Sequence, residues 1–216
     1  MSTVLGKSLV ISGVFFVLAL GGIGIYQTIS NRPTKPKLAE VRHPVTPEMW
    51  KAADLARDVA LPKFSLATVG GKVLTQDTLN GKPTLMYFIK LGCPCSIDVE
   101  PLFQKMSRTF PKELRCVGVI YGGQETGVKW MKIGRTPYDV LLDSDGKFSK
   151  AMHVSRSVYT VLIRPDGMID KMWPGYSKEM LKELAKRIAT LAKVDERPYD
   201  PGYAPNELAS GCSFLD

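Results

Sequence analysis

The stretch Phe88-Ile-Lys-Leu-Gly-Cys93-Pro-Cys-Ser96-Ile-Asp-Val-Glu-Pro101 decides the reading of this chain. An apolar run over residues 84–89 predicts a buried strand, which stops at Gly92. A helix-compatible stretch opens just after Cys93. A thiol at a helix N-terminus lies at the positive end of the helix dipole, which favours the thiolate, the form that attacks disulfides and peroxides. Pro94 falls at the first helical position, where its missing N–H costs nothing. A lone cysteine in an apolar setting reads as an inert core thiol. Two cysteines flanking a proline at a strand-to-helix junction point instead to reactive sulfur.

The segments around this junction extend the reading. Leu61-Pro-Lys-Phe-Ser-Leu and Gly70-Gly-Lys-Val-Leu predict a short hairpin. Leu79-Asn-Gly-Lys-Pro-Thr-Leu-Met-Tyr-Phe predicts a turn into the central strand. Val140-Leu-Leu-Asp-Ser-Asp-Gly and Thr160-Val-Leu-Ile-Arg-Pro-Asp-Gly-Met-Ile predict a later strand and a hairpin. On these segments the chain, over residues 61–192, resembles the thioredoxin superfamily, in its redoxin (AhpC/TSA) and TlpA-like membrane-anchored branch. The resemblance implies a central mixed sheet flanked by helices. Thioredoxins carry Cys-x-x-Cys with a proline eight residues after the first cysteine, and counting from Cys93 that proline is Pro101. Cys93 thus takes the place of the family's nucleophile.

The same register shows three departures. Ser96 stands where the resolving thiol belongs, and Cys95 stands one residue early, giving Cys-x-Cys. The family's cis-proline position reads Ser157-Val158-Tyr159. A cis bond before a non-proline residue costs about 2.5–4 kcal/mol, so a trans bond is expected at Val158. The peroxiredoxin signature would need Pro at Met86 and Thr or Ser at Lys90, so the peroxidase motif is absent. Copper-binding Sco-type proteins resemble this fold too, but use Cys-x-x-x-Cys, and their histidine falls at Arg156 rather than at His153. No metal ligand set or cofactor motif is assigned. Asp143-Ser-Asp145-Gly reads as a turn, not a calcium loop. Cys116, within Leu-Arg-Cys-Val-Gly-Val-Ile, reads as an inert core thiol.

Residues 8–29, from Ser8 through Ile29, form a run of 22 residues without a charge, long enough to cross about 30 Å of hydrocarbon. The exit, Tyr26-Gln-Thr-Ile-Ser-Asn-Arg, offers no small-x-small cleavage site, so a retained anchor is expected rather than a signal peptide. Lys7 precedes the span, while Arg32, Lys35, Lys37 and Arg42 follow it. The positive-inside rule taken alone puts the domain in the cytoplasm. The resemblance and the paired cysteines favour an extracytoplasmic domain, on the periplasmic side.

The sequence has 216 residues, 44% hydrophobic and 23% charged, which suits one anchor and one globular domain with a full core. The division expected is an anchor over residues 1–30, a proline-rich linker over 31–48, a thioredoxin-like domain over 49–194 and an extended tail over 195–216. Of the net charge of +8, the first 48 residues carry +3, five Lys/Arg against two Glu. No basic run or aromatic-interleaved basic patch occurs, which argues against nucleic-acid binding.

Thr46-Pro-Glu-Met-Trp predicts a capped helix, with Trp50, Ala53, Leu55 and Ala60 as a face that packs on the domain. Strands are expected over residues 64–66, 73–74, 84–89, 114–121, 140–142, 159–164 and 168–172. Further helices are expected over 95–110, 125–132, 147–153 and 178–193. The tail lacks periodicity, yet carries Tyr199, Tyr203, Leu208, Cys212 and Phe214. Either it folds back so that Cys212 reaches Cys93 or Cys95, or it docks on a neighbouring subunit. The closure entropy of a 20-residue return favours the second.

Two functions fit. The first is a membrane-tethered thiol–disulfide oxidoreductase with Cys93 and Cys95 as catalytic residues, Cys93 attacking and Cys95 or Cys212 resolving, acting on partner-protein thiols or disulfides. The second is a catalytically degenerate accessory or scaffold subunit of a membrane protein complex. In both, residues 8–29 meet the lipid bilayer.

Overall fold

A computed structural model of the protein describes residues 43–215. The expected membrane anchor and most of the linker lie outside the described residues. Among the described residues no helix is long and apolar enough to cross a membrane.

A five-stranded mixed sheet organises the domain. In chain order the elements are β1 (His43–Pro44), α1 (Pro47–Leu55), β2 (Ser65–Ala67), β3 (Val73–Thr75), β4 (Thr84–Ile89), α2 (Pro94–Thr109), β5 (Arg115–Tyr121), α3 (Gln124–Gly134), β6 (Val140–Asp143), α4 (Lys147–Ala151), β7 (Thr160–Ile163), β8 (Ile169–Trp173), α5 (Lys178–Ala192) and β9 (Ala209–Ser210). The sheet runs β6-β5-β4-β7-β8. β4, β5 and β6 are parallel, and β7 and β8 continue antiparallel. β4 is central and every one of its residues is buried, which explains its unbroken apolar run.

Apolar layers on both faces hold the sheet. One gathers Tyr87, Ile89, Cys93, Phe103, Trp130 and the inward stripe of α5, Leu181, Leu184 and Ile188. Those three α5 positions recur at helical spacing, and each leucine-sized side chain contributes about 1.5–3 kcal/mol on burial. The other gathers Phe64, Phe88, Val117, Leu141, Phe148 and Phe214. Helix α1 is capped as expected, Thr46 Oγ1 accepting the Met49 N–H at 3.4 Å. Its packing face differs from the one expected: Met49 and Ala53 are buried, whereas Leu55 is 70% exposed and Trp50 36%. Met49 and Ala53 lie four residues apart on one side of the helix, and Leu55 projects from another.

The ends of the domain reach further than expected. β1, inside the presumed linker, pairs with β9 in the tail. The tail is not an unpacked extension: Tyr199, Ala204, Ala209, Ser210 and Phe214 are buried. It runs back along α2 toward that helix's N-terminus. Arg197 is ion-paired to Glu113 at 2.7 Å. The Tyr199 hydroxyl donates to the Leu102 carbonyl at 2.8 Å and the Tyr203 hydroxyl to the Asp98 carbonyl at 2.7 Å. Tyr176 and Ala209 then exchange two backbone hydrogen bonds of 3.0 Å.

Candidate active site

Cys93 stands at the N-cap of α2, its backbone extended (φ −77°, ψ 119°). Gly92 makes the turn out of β4 with φ +80°, a conformation glycine adopts without steric cost. Pro94 is the first helical residue, and Pro101 lies inside the helix. Ser96, in the resolving position, is buried, and its Oγ accepts the Lys90 N–H at 3.3 Å. This serine ties the end of the strand to the first turn of the helix.

Opposite Cys93 lies the segment just before β7. Ser157 Oγ donates to Cys93 Sγ at 3.2 Å. Val158 follows in the family's cis-proline position. Its peptide bond is trans, as expected, and the residue is fully buried with φ +69°. A left-handed backbone is uncommon for a β-branched residue and stores strain of about 1–3 kcal/mol. It persists because the Val158 N–H donates to the Phe88 carbonyl at 2.6 Å, joining the segment to the end of β4.

The third component is the tail. The Cys212 N–H donates to Cys93 Sγ at 3.2 Å. Around it the tail pairs antiparallel with residues 155–157. Ser157 N–H donates to Cys212 O at 2.9 Å, Gly211 N–H to Ser157 O at 3.0 Å, and Phe214 N–H to Ser155 O at 2.9 Å. Lys90 Nζ donates to the Ser213 carbonyl at 2.5 Å, and Phe214 stacks on Tyr121 with ring centroids 5.0 Å apart. Gly211 is required there, since a Cβ would lie 2.1 Å from Ser157 Oγ.

The tail thus folds back onto its own domain, the alternative that closure entropy disfavours. That cost applies to a single long loop. The anchors at Arg197, Tyr199, Tyr203 and Ala209 divide it into short closures, each offset by its own contacts.

The electrostatics single out one thiol. Cys93 is held down to about 4, first by the hydrogen bond from the Cys95 thiol; burial opposes this, and the Cys212 thiol, Ser157 hydroxyl and Cys212 N–H add to it. Cys95 moves the opposite way, chiefly because its proton is shared with the Cys93 sulfur. Cys212 is pushed up to about 11, first by burial and then by its bond to Cys93, while Lys90 and Arg156 pull it down. Cys116 is raised to about 12 by burial, in keeping with an inert core thiol. Among the described residues no cluster of three or more His, Cys, Asp or Glu side chains is arranged to hold a metal ion.

The sequence reading missed Ser157 as a donor and a buried network around Glu100. The Glu100 carboxylate accepts from the Tyr87 hydroxyl, from Thr136 Oγ1 at 2.8 Å, from the Tyr138 hydroxyl at 3.2 Å and from Gln104 Nε2 at 3.0 Å. No local motif announces it, because its donors come from β4, α2 and the loop between α3 and β6.

A cysteine at the N-cap of the helix that follows the central strand of a mixed sheet is the arrangement of a thioredoxin fold. The AhpC/TSA family matches residues 58–172, and the chain belongs to that family. No curated protein matches the chain. Among solved structures, a secreted Mycobacterium tuberculosis disulfide oxidoreductase homologous to E. coli DsbE is similar at 22% identity and TM-score 0.52, covering 59% of this chain and 96% of that one. The thioredoxin domain of a thiol-disulfide oxidoreductase from Bacteroides vulgatus is similar at 17% identity and TM-score 0.56, covering 62% and 98%. The exposed lipoprotein thioredoxin Etrx1 of Streptococcus pneumoniae is similar at 18% identity and TM-score 0.53, covering 60% and 100%. These likenesses establish the thioredoxin fold.

Proposed function

We propose that the protein is a membrane-tethered thiol–disulfide oxidoreductase in which Cys93 is the attacking thiolate. The observation that carries this reading is the set of donors on the Cys93 sulfur: Ser157 Oγ and Cys212 N, each at 3.2 Å, with the Cys95 thiol. Such a set lowers the energy of the thiolate, the only form that attacks a disulfide. Cys95 is the second catalytic residue, first as a proton donor to that sulfur. Stabilising the thiolate stabilises the reduced protein, so its reaction with a substrate disulfide runs forward when that disulfide is the stronger oxidant. Peroxide reduction is not part of this proposal, because Met86 and Lys90 occupy the peroxidase motif positions.

The substrates are thiols or disulfides of partner proteins. Residues 8–29 anchor the chain in the bilayer, and the domain faces the extracytoplasmic, periplasmic side. Support comes from the uncharged run itself and from the secreted and surface-exposed character of two similar proteins. A second reading, a scaffold subunit of a membrane complex, draws on Ser96 and on the burial of Cys93, which is only 1% exposed beneath the tail. Incubation of the reduced protein with oxidised glutathione separates them. An oxidoreductase forms a disulfide through Cys93 and loses this reaction in Cys93→Ser, whereas a scaffold leaves Cys93 reduced.

A further inference from the structure

The sulfur that resolves the reaction is open in the family register, because Ser96 fills the resolving position and is committed to the Lys90 N–H. Two thiols lie against Cys93. Cys95 follows it by two residues in the first helical turn, and a disulfide there would close a very small ring, which the geometry of the Cβ–S–S–Cβ unit disfavours. Cys212 arrives on the tail segment, which pairs with residues 155–157. Its N–H is already 3.2 Å from Cys93 Sγ, and the strand carrying it is registered by three backbone bonds to residues 155–157.

We propose, on the basis of the oxidoreductase reading, that Cys212 is the resolving cysteine, and that Cys93 and Cys212 are the redox-active pair. Three features of the tail support this. Its placement is built, since Gly211 alone fits against Ser157, Lys90 holds the Ser213 carbonyl and Phe214 stacks on Tyr121. Cys212 is only partly buried, whereas Cys95 is 1% exposed. The charges also differ: Lys90 and Arg156 favour the Cys212 thiolate, while Asp98 opposes ionisation of Cys95. The negative charge of Cys93 that now restrains both thiols vanishes once Cys93 is in a mixed disulfide. Burial still raises the Cys212 thiol, but the pull of the two cations is then no longer opposed by the Cys93 charge.

The sequence of bonds is as follows. A substrate disulfide displaces the tail strand, and Cys93 Sγ attacks one of its sulfurs. The Cys93–substrate bond forms, the substrate's own S–S bond breaks, and the departing sulfur leaves as a thiolate that takes a proton from water. The tail returns and Cys212 gives up its proton to water. It then attacks Cys93 Sγ, forming the Cys93–Cys212 bond and expelling the second substrate sulfur as a thiolate that takes a proton from water. The protein dithiol is oxidised by two electrons and the substrate disulfide is reduced to two thiols.

The test is oxidation of the reduced full-length chain by oxidised glutathione, acid quenching, blocking of free thiols, trypsin digestion and mass spectrometry. Cys93 and Cys95 share the tryptic peptide of residues 91–105, while Cys212 lies in that of residues 194–216. The expected result is a cross-link between these two peptides. In Cys212→Ser that cross-link is lost and a Cys93–glutathione adduct accumulates. A Cys93–Cys95 cross-link in the native chain, undiminished in Cys212→Ser, would overturn the role of Cys212 and leave the oxidoreductase reading standing. Absence of any glutathione adduct or cross-link at Cys93 would overturn both. Because the native chain gives the linkage by itself, the result does not depend on the folding of a variant.

Discussion

Ser157 and Cys93, 64 residues apart in sequence, meet through a hydrogen bond of 3.2 Å from hydroxyl to sulfur. The residue after Ser157 is Val158, held at φ +69° where the family has its cis-proline. The strained segment thus delivers a donor to the Cys93 sulfur, and the tail, paired to the same segment, delivers another. Removing the Ser157 hydroxyl should raise the Cys93 pKa by about one unit, the scale of a single charge-assisted hydrogen bond. Titration of Ser157→Ala beside the native protein checks this, and an unshifted midpoint would show that the hydroxyl does not act on the sulfur.

Gly211→Ala probes the tail. The added Cβ would lie 2.1 Å from Ser157 Oγ and 2.7 Å from the Ser157 carbonyl oxygen, and the backbone cannot yield as a flexible side chain does. The tail strand should detach locally while the domain stays folded. Cys93 is then uncovered, and its alkylation by iodoacetamide should quicken relative to the native chain, with Cys116 still protected. Equal rates in the two proteins would mean that the tail does not shield Cys93.

Glu100→Gln tests the buried network. Glutamine has one acceptor oxygen where the carboxylate has two, and its amide would face the donors of Tyr87, Thr136 and Tyr138. Buried donors left without acceptors cost about 1–3 kcal/mol, which thermal unfolding would register as a lowered Tm. A variant as stable as the native protein would assign the network no structural weight.

Much of the domain is legible in the sequence, because its elements carry local signals. The apolar run of β4 and its stop at Gly92 give the central strand, and Pro94 marks the helix start. The Cys93 to Pro101 spacing gives the family register. The site is legible only in part. Cys93 can be placed from its own neighbours, but the donors that make it acidic come from residue 157 and residue 212, and no local pattern links them. The tail misled for a related reason. Tyr199 and Tyr203 have no periodicity because they bond to carbonyls of α2 one at a time, rather than forming a helix or strand of their own.

The depressed pKa of Cys93 carries a consequence for stability. In the folded protein it lies at about 4 against an ordinary value of 9.0, so between those values the unfolded chain binds the extra proton. The contribution of this thiolate is therefore complete above about 9 and is lost progressively as pH falls toward about 4. Cys95, raised instead, contributes oppositely and only above the ordinary thiol range. Urea midpoints should fall between about pH 8 and about pH 5 in the native protein, and fall less in Cys93→Ser. Parallel declines in the two would assign the pH dependence to other groups.

The central claim, that Cys93 is a thiolate at neutral pH, is tested most directly by the ultraviolet absorbance of the thiolate followed against pH. This readout does not require a reagent to pass the tail. The native protein should show one thiolate forming with a midpoint of about 4, and Cys93→Ser should lack it. A native protein whose thiolate absorbance rises only near the ordinary cysteine value of about 8.5, or an early midpoint that survives in Cys93→Ser, would contradict the account.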